Sequence, residues 1–191
     1  MFLIKDNLHL PHLPLQAALI DSVCQSLVRE KDVLAAVLVG SLAGKRGDRI
    51  SDADIVIFTT NGFHKKMAST EYRIEFGKDI FYTIDGFHTP LAYFEKHIFY
   101  DFTSIEIHYL DLTEPFQLSN PYQVLFDKQS IISSRLTEEP APKHEDFEVY
   151  TVGDDGLIWE LFDCIKWLSR NDTELAKQYL KKLATKLESE T

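Results

Sequence analysis

The stretch Val37 to Phe58, VLVGSLAGKRGDRISDADIVIF, decides the fold and places the candidate chemistry. It opens inside the apolar run Val33 to Val39, which is rich in Val and Leu and too short for a typical helix, and so predicts a buried strand. The run stops at Gly40-Ser41 and a polar loop follows. Asp52-Ala53-Asp54 then leads into a second β-branched strand, Ile55 to Phe58.

The two aspartates of this stretch are predicted to project from the same face of a strand. In an extended strand neighbouring side chains alternate, so Asp52 and Asp54 point the same way, about 7 Å apart along the backbone. Carboxylate oxygens in such a pair are ligands that Mg²⁺ prefers, together with phosphate oxygens. Gly40 allows a phosphate to approach the backbone closely, and the amides of Gly40 and Ser41 can donate to it.

A phosphate-binding P-loop is the competing interpretation of the same residues. Gly40 to Lys45 reads G-x-x-x-G-K, but the P-loop needs four residues between its glycines and Ser or Thr after the lysine. Here there are three, and Arg46 follows. We therefore set the P-loop aside.

The segment resembles the DNA polymerase β-type nucleotidyltransferase superfamily, whose signature is an apolar strand, Gly-Ser, a loop and Asp-x-Asp. Gly40, Ser41, Asp52 and Asp54 match it in type, order and spacing. The family carries a third carboxylate alone between apolar residues on a later strand, and Glu106, 52 positions after Asp54, fits that description. The resemblance covers residues 33–110.

This resemblance implies a Mg²⁺-dependent enzyme. Two Mg²⁺ ions held by Asp52, Asp54 and Glu106 would bind ATP or another nucleoside triphosphate, and a hydroxyl group would take up the nucleoside monophosphate. The short chain and helical C-terminus are similar to the antibiotic nucleotidyltransferases, which confer resistance by modifying aminoglycosides or lincosamides. Two alternatives stay open: a minimal nucleotidyltransferase that modifies a protein or RNA partner, as in toxin–antitoxin pairs, and a non-catalytic nucleotide-binding module.

Several roles are left open by the sequence. The basic residues available to the triphosphate are Lys45, Arg46 and Arg49. The general base is either Glu106 or a carboxylate of the C-terminal segment. There Glu160 and Asp163 are expected on a solvated helix face, with binding of a cationic acceptor as the alternative. His108 is expected to be hydrogen-bonded, and Asp85 and His88 to lie in a turn.

The rest of the chain predicts helices around a small mixed sheet. Apolar residues four apart indicate a helix over 14–30, entered at Pro14. Residues 71–76 and 80–84 are predicted to form a hairpin, and 90–97 a short helix. Strands are predicted over 105–110 and 122–126.

The C-terminal part predicts a helical hairpin after a linker. Residues 137–148 are rich in Pro and Glu, and the apolar positions beyond them follow helical spacing. The expected class is α/β (α+β), a small mixed β-sheet with flanking helices and a C-terminal helical hairpin. The expected division is a nucleotidyltransferase catalytic domain over 1–136, the linker over 137–148 and a helical segment over 149–191.

Composition and charge limit the kinds of molecule that the protein is expected to bind. With 20 Lys+Arg against 30 Asp+Glu, the formal charge of −10 makes nucleic acid an unlikely partner and favours a small, cationic, hydroxyl-bearing acceptor.

Cys24 and Cys164 lie too far apart for the usual zinc or disulfide patterns. No stretch is long and apolar enough to cross a membrane, and the first residues do not resemble a secretion signal, so we expect a cytoplasmic protein. A homodimer would let so short a chain borrow its neighbour's helices.

Overall fold

The computed structural model describes residues 10–69, 72–142 and 147–189. The chain divides into two compact units, one up to Ala141 and one from Pro142. Four predictions reach outside the described residues: those for the first nine positions, for Glu71, for 143–146 of the linker and for the last two positions.

A six-stranded mixed sheet forms the first unit, with the strand order β3-β4-β5-β2-β1-β6. Every neighbouring pair is antiparallel except β2 and β5, which run parallel. The strands are β1 (Val33–Val39), β2 (Ala53–Thr59), β3 (Ile80–Thr89), β4 (Ala92–Phe99), β5 (Ser104–Asp111) and β6 (Gln123–Asp127). Two antiparallel halves, β3-β4-β5 and β2-β1-β6, are thus joined by one parallel pairing, which we call the seam.

Three helices accompany the sheet: α1 (Pro14–Leu27), α2 (Gly40–Ala43) and α3 (Phe63–Met67). The apolar residues of α1 and α3 share a buried cluster with one face of the sheet, because alternation sends every second side chain of β1, β2 and β5 to that side. On the opposite face, a smaller cluster built from Val37, Val56, Phe58, Leu118 and Ile132 covers one end of the strands. The candidate carboxylates lie on this second face, beyond the apolar cluster.

Three local predictions for the first unit are wrong. Residues 72–79 form no strand, and β3 pairs instead with β4 around the turn at Pro90. Residues 90–97 are not a helix, because all but the first two belong to β4, which buries side chains on both faces of the sheet. Asp85 and His88 lie within β3 and not in a turn.

The second unit contains the predicted helical hairpin, made of α4 (Leu157–Ser169) and α5 (Thr173–Ser189). Cys164 and Trp167 of α4 form a buried cluster with Ala176 of α5, and the rings of Trp167 and Tyr179 meet edge to face at 5.0 Å. No helix among the described residues is long and apolar enough to cross a membrane.

The charged side chains of α4 do not lie where the sequence predicts them. Glu160 and Asp163, predicted on a solvated face, are buried, and Lys166 is buried with them, with its Nζ 2.6 Å from Asp163 Oδ1. The rings of Trp159 and Phe162 flank that ammonium group. Four apolar side chains of α4 are instead exposed: Ile158, Leu161, Ile165 and Leu168.

Candidate functional site

Gly40 and Asp54 approach each other so closely that no side chain fits at position 40. Gly40 directly follows β1 and has φ +68°, a backbone conformation that favours glycine. A Cβ atom placed there would lie only 2.2 Å from Asp54 Oδ2. Val39 is paired with Asp54 across β1 and β2, which brings the turn over the carboxylate. The glycine predicted to bind phosphate therefore contacts one of the predicted metal ligands.

The loop between Ser41 and Asp52 is closed by hydrogen bonds around Asp48. Its Oδ1 accepts from the hydroxyl of Ser51 at 2.9 Å and from the amide of Ile50 at 3.2 Å. The buried amide of Gln16 in α1 donates to the carbonyls of Asp48, at 3.3 Å, and Arg49, at 2.7 Å. These contacts hold in place the loop that connects Gly40 to Asp52.

The three predicted carboxylates lie at one end of the seam. Asp54 of β2 and Glu106 of β5 occupy directly paired positions of the parallel ladder. Asp52 precedes β2, and its Oδ1 accepts a hydrogen bond from the hydroxyl of Ser104, two residues before Glu106. Because residues two apart share a face, Asp52, Asp54 and Glu106 all project from the same side of the sheet.

Glu106 is paired with two basic side chains. Lys96 Nζ lies 3.0 Å and His108 Nε2 lies 2.8 Å from the same oxygen, Oε1. Burial acts to raise the pKa of Glu106, but the charges and hydrogen bonds of Lys96 and His108 outweigh it and hold the pKa well below its usual range. Glu106 is therefore a carboxylate near neutral pH, and His108 is hydrogen-bonded as expected.

An imidazole stack lies beside this pair. The ring of His88 stacks on Phe94 at 4.4 Å and on His108 at 5.4 Å between centroids. Burial, followed by the nearby His108, lowers the pKa of His88. His88 is therefore an uncharged imidazole near neutral pH, which can both donate and accept hydrogen bonds.

The donor atoms fit a magnesium site in part. Carboxylate oxygens suit Mg²⁺, and the carboxylate of Asp54 fills the space where a side chain of residue 40 would otherwise stand. Within the described parts of the chain, however, no three side chains of His, Cys, Asp or Glu form a group that could hold a metal ion. Asp52 and Asp54 therefore make up at most an incomplete set of metal ligands, and Glu106 is paired with Lys96 and His108.

Sequence reasoning missed Lys96, because it assigned residues 90–97 to a helix. The available signal was the run of apolar residues on both sides of Glu95-Lys96-His97, which suits a strand buried on both faces as well as a helix. The basic loop residues Lys45, Arg46 and Arg49 lie between Ser41 and Asp52, as the sequence requires.

No protein-family model matches this chain, and a search of curated proteins finds no significant match.

Proposed function

We propose that this protein is a Mg²⁺-dependent nucleotidyltransferase that transfers a nucleoside monophosphate, AMP from ATP as the first choice, to a hydroxyl group of a small molecule. The observation that carries the proposal is the pairing of Asp54 with Glu106 across the seam, with Asp52 on the same face and Gly40 against Asp54. The resemblance of Gly40-Ser41 and Asp52-Ala53-Asp54 to the polymerase β-type superfamily gives that arrangement its chemical interpretation.

The roles of the residues follow from their positions. Asp52 and Asp54 would hold the ion, whose positive charge shields the charge that develops on the leaving pyrophosphate. Gly40 and Ser41 would bind the triphosphate through their backbone amides. Glu106 would lie beside the acceptor hydroxyl and orient it or take its proton as the oxygen attacks the α-phosphorus.

The charge of the chain favours a cationic acceptor. A net charge of −10 raises the local concentration of positively charged ligands, so an aminoglycoside- or lincosamide-like molecule is our first candidate. The expected location is the cytoplasm.

The first experiment is mass spectrometry after incubation with Mg²⁺ and each nucleoside triphosphate. The acceptors are a panel of aminoglycosides and lincosamides and, separately, whole-cell protein and RNA. We expect a nucleotide-mass adduct on a drug, lost in Asp54→Asn and retained in Asp79→Asn, a matched control in which the side chain is exposed.

The other outcomes discriminate between the classes. An adduct confined to protein or RNA would support the toxin–antitoxin type of enzyme. No adduct on any acceptor, with nucleotide binding intact, would contradict the small-molecule proposal and favour a nucleotide-binding module.

A further inference from the structure

The exposed side of α4 carries a row of four apolar residues, which we call the α4 stripe. It consists of Ile158, Leu161, Ile165 and Leu168, whose exposed fractions lie between 44% and 52%. The contact with α5 does not cover it, because α5 packs on α4 through Cys164 and Trp167. Single exposed apolar residues are common on protein surfaces, whereas a continuous apolar row along one helix marks an interaction site.

The spacing of the α4 stripe is that of a coiled-coil seam. Its residues are three, four and three positions apart, so they occupy the a, d, a and d positions of two successive heptads. Isoleucine stands at both a positions and leucine at both d positions. In parallel coiled coils this combination favours two strands. The spacing therefore predicts that one further helix, with the same pattern, packs on the stripe.

The charged residues of α4 lie away from the stripe. All of them are buried on other sides of the helix, and they are Glu160, Asp163 and Lys166. The heptad positions that flank the seam are uncharged, and they hold Leu157, Phe162, Cys164 and Ser169. Two copies of a chain with a net charge of −10 repel each other, so they can associate only where like charges do not meet. The α4 stripe is a surface of that kind.

We propose that the α4 stripe joins two copies of this chain, with α4 pairing with α4 of the second copy as a short parallel coiled coil. The pattern required of the partner helix is the one that α4 itself carries, so a two-fold axis parallel to the helices places identical residues opposite each other. The two hairpins then form a four-helix arrangement that buries both stripes, and this burial of apolar surface drives the association. The dimer does not depend on the proposed activity.

Sedimentation equilibrium of the full chain over a range of concentrations measures the association, and we expect a monomer–dimer equilibrium for the wild type. Ile165→Glu and Ile165→Lys each place like charges opposite each other at an a position. Each variant alone should raise the dissociation constant at least about 100-fold. An equimolar mixture pairs glutamate with lysine and should restore the dimer. Because the side chain of residue 165 is 52% exposed, both variants should fold, which circular dichroism checks.

The matched control is Gln178→Glu, which adds a charge at an exposed position of α5 and should leave the dissociation constant unchanged. Leu161→Cys reports the direction of the helices. Parallel pairing brings the two copies of this d position together, so oxidation should give a disulfide-linked dimer. Antiparallel pairing centred on the stripe would set them about 6 Å apart along the helix. The wild type, whose Cys24 and Cys164 are buried, gives the background.

Three results would overturn the proposal. A wild type that stays monomeric up to about 1 mM has no such interface. A wild-type dimer that both Ile165 variants retain uses another surface. A mixture of the two variants that stays monomeric, or a Leu161→Cys dimer without the disulfide, contradicts the parallel pairing of α4.

Discussion

The side-chain amide of Gln16 donates a hydrogen bond to the backbone carbonyl of Arg49, at 2.7 Å. Gln16 is 1% exposed and belongs to α1, whose other inward-facing residues are apolar. A single polar side chain of that helix therefore holds the loop between the glycine turn and Asp52, even though 33 positions separate the two residues.

Replacing Gln16 by Leu should lower the free energy of unfolding by about 2 kcal/mol, because it removes both hydrogen bonds to the loop and leaves two carbonyls without that donor. Urea denaturation followed by circular dichroism measures the loss. The matched control is Gln25→Leu, an exposed position of the same helix, which should change stability by less than about 0.5 kcal/mol. Equal losses in the two variants would contradict the role assigned to Gln16.

Gly40→Ala should be much more destabilising than an alanine at another glycine of the same backbone conformation. Gly62 has φ +72°, and no atom lies within 4 Å of the point where its Cβ would stand, so Gly62→Ala should cost about 1 kcal/mol for the conformation alone. Gly40→Ala adds the clash with Asp54, for an expected further loss of about 2 kcal/mol. Thermal or urea unfolding compares the two.

A double-variant cycle isolates the clash. In an Asp54→Ala background the carboxylate is gone, so Gly40→Ala should cost only as much as Gly62→Ala. An undiminished loss in that background would show that Asp54 is not the obstacle.

Asp101 should make stability depend on pH in the acidic range. Burial acts to raise its pKa, but hydrogen bonds from Lys78 and Thr103 outweigh that effect and lower the pKa from 3.8 to about 2. A lowered folded-state pKa contributes stability above the unfolded value, and this contribution is lost as pH falls from about 4 to about 2.

The measurement is the free energy of unfolding of the wild type and of Asp101→Asn between pH 2 and 6. We expect the wild type to be more stable at pH 6, and the difference between the two proteins to shrink below about pH 4. A difference that stays constant down to pH 2 would contradict the lowered pKa.

Both thiols should be unreactive in the folded protein. Burial, followed by the nearby Asp21, raises the pKa of Cys24 to about 12, and burial together with Asp163 and Glu160 raises the pKa of Cys164 to about 11. Since the thiolate is the nucleophile, Ellman's reagent at pH 8 should find no fast thiol in the native state and two in guanidinium chloride. Gln25→Cys, at an exposed position of α1, should add one fast native thiol.

Much of the sheet could be predicted from the sequence, because β1, β2, β5 and β6 are short apolar or β-branched runs bounded by polar turns. The β3–β4 hairpin could not. Asp85-Gly86 has the composition of a turn but sits in the middle of β3, and the continuous apolar character of β4 suits a helix equally well. β4 is a strand because it pairs with β3 on one side and β5 on the other, and such pairing leaves no periodic pattern in the sequence.

The same limit applies to the candidate site. Asp52 and Asp54 are found from alternation within one strand, and Glu106 from its apolar neighbours and the family resemblance. Asp54 and Glu106 are directly paired because of the register in which β2 and β5 run side by side, and only the structure shows this register. Lys96 could not be predicted for the same reason, because its contact with Glu106 depends on the pairing of β4 with β5. The burial of Glu160, Asp163 and Lys166 in α4 could not be predicted either, because the helical spacing of the sequence is consistent with more than one packed face.

The seam also has a consequence for the order in which the protein folds. The hairpins on either side of it close short loops, whereas β2 meets β5 only after an intervening stretch of more than forty residues has been gathered. Long loop closures delay the contacts that depend on them. Asp54 and Glu106 should therefore come together after the hairpins have formed, and the nucleotide binding proposed above should report closure of the seam in a refolding experiment. The pairing of β1 with β6 closes a still longer stretch of chain.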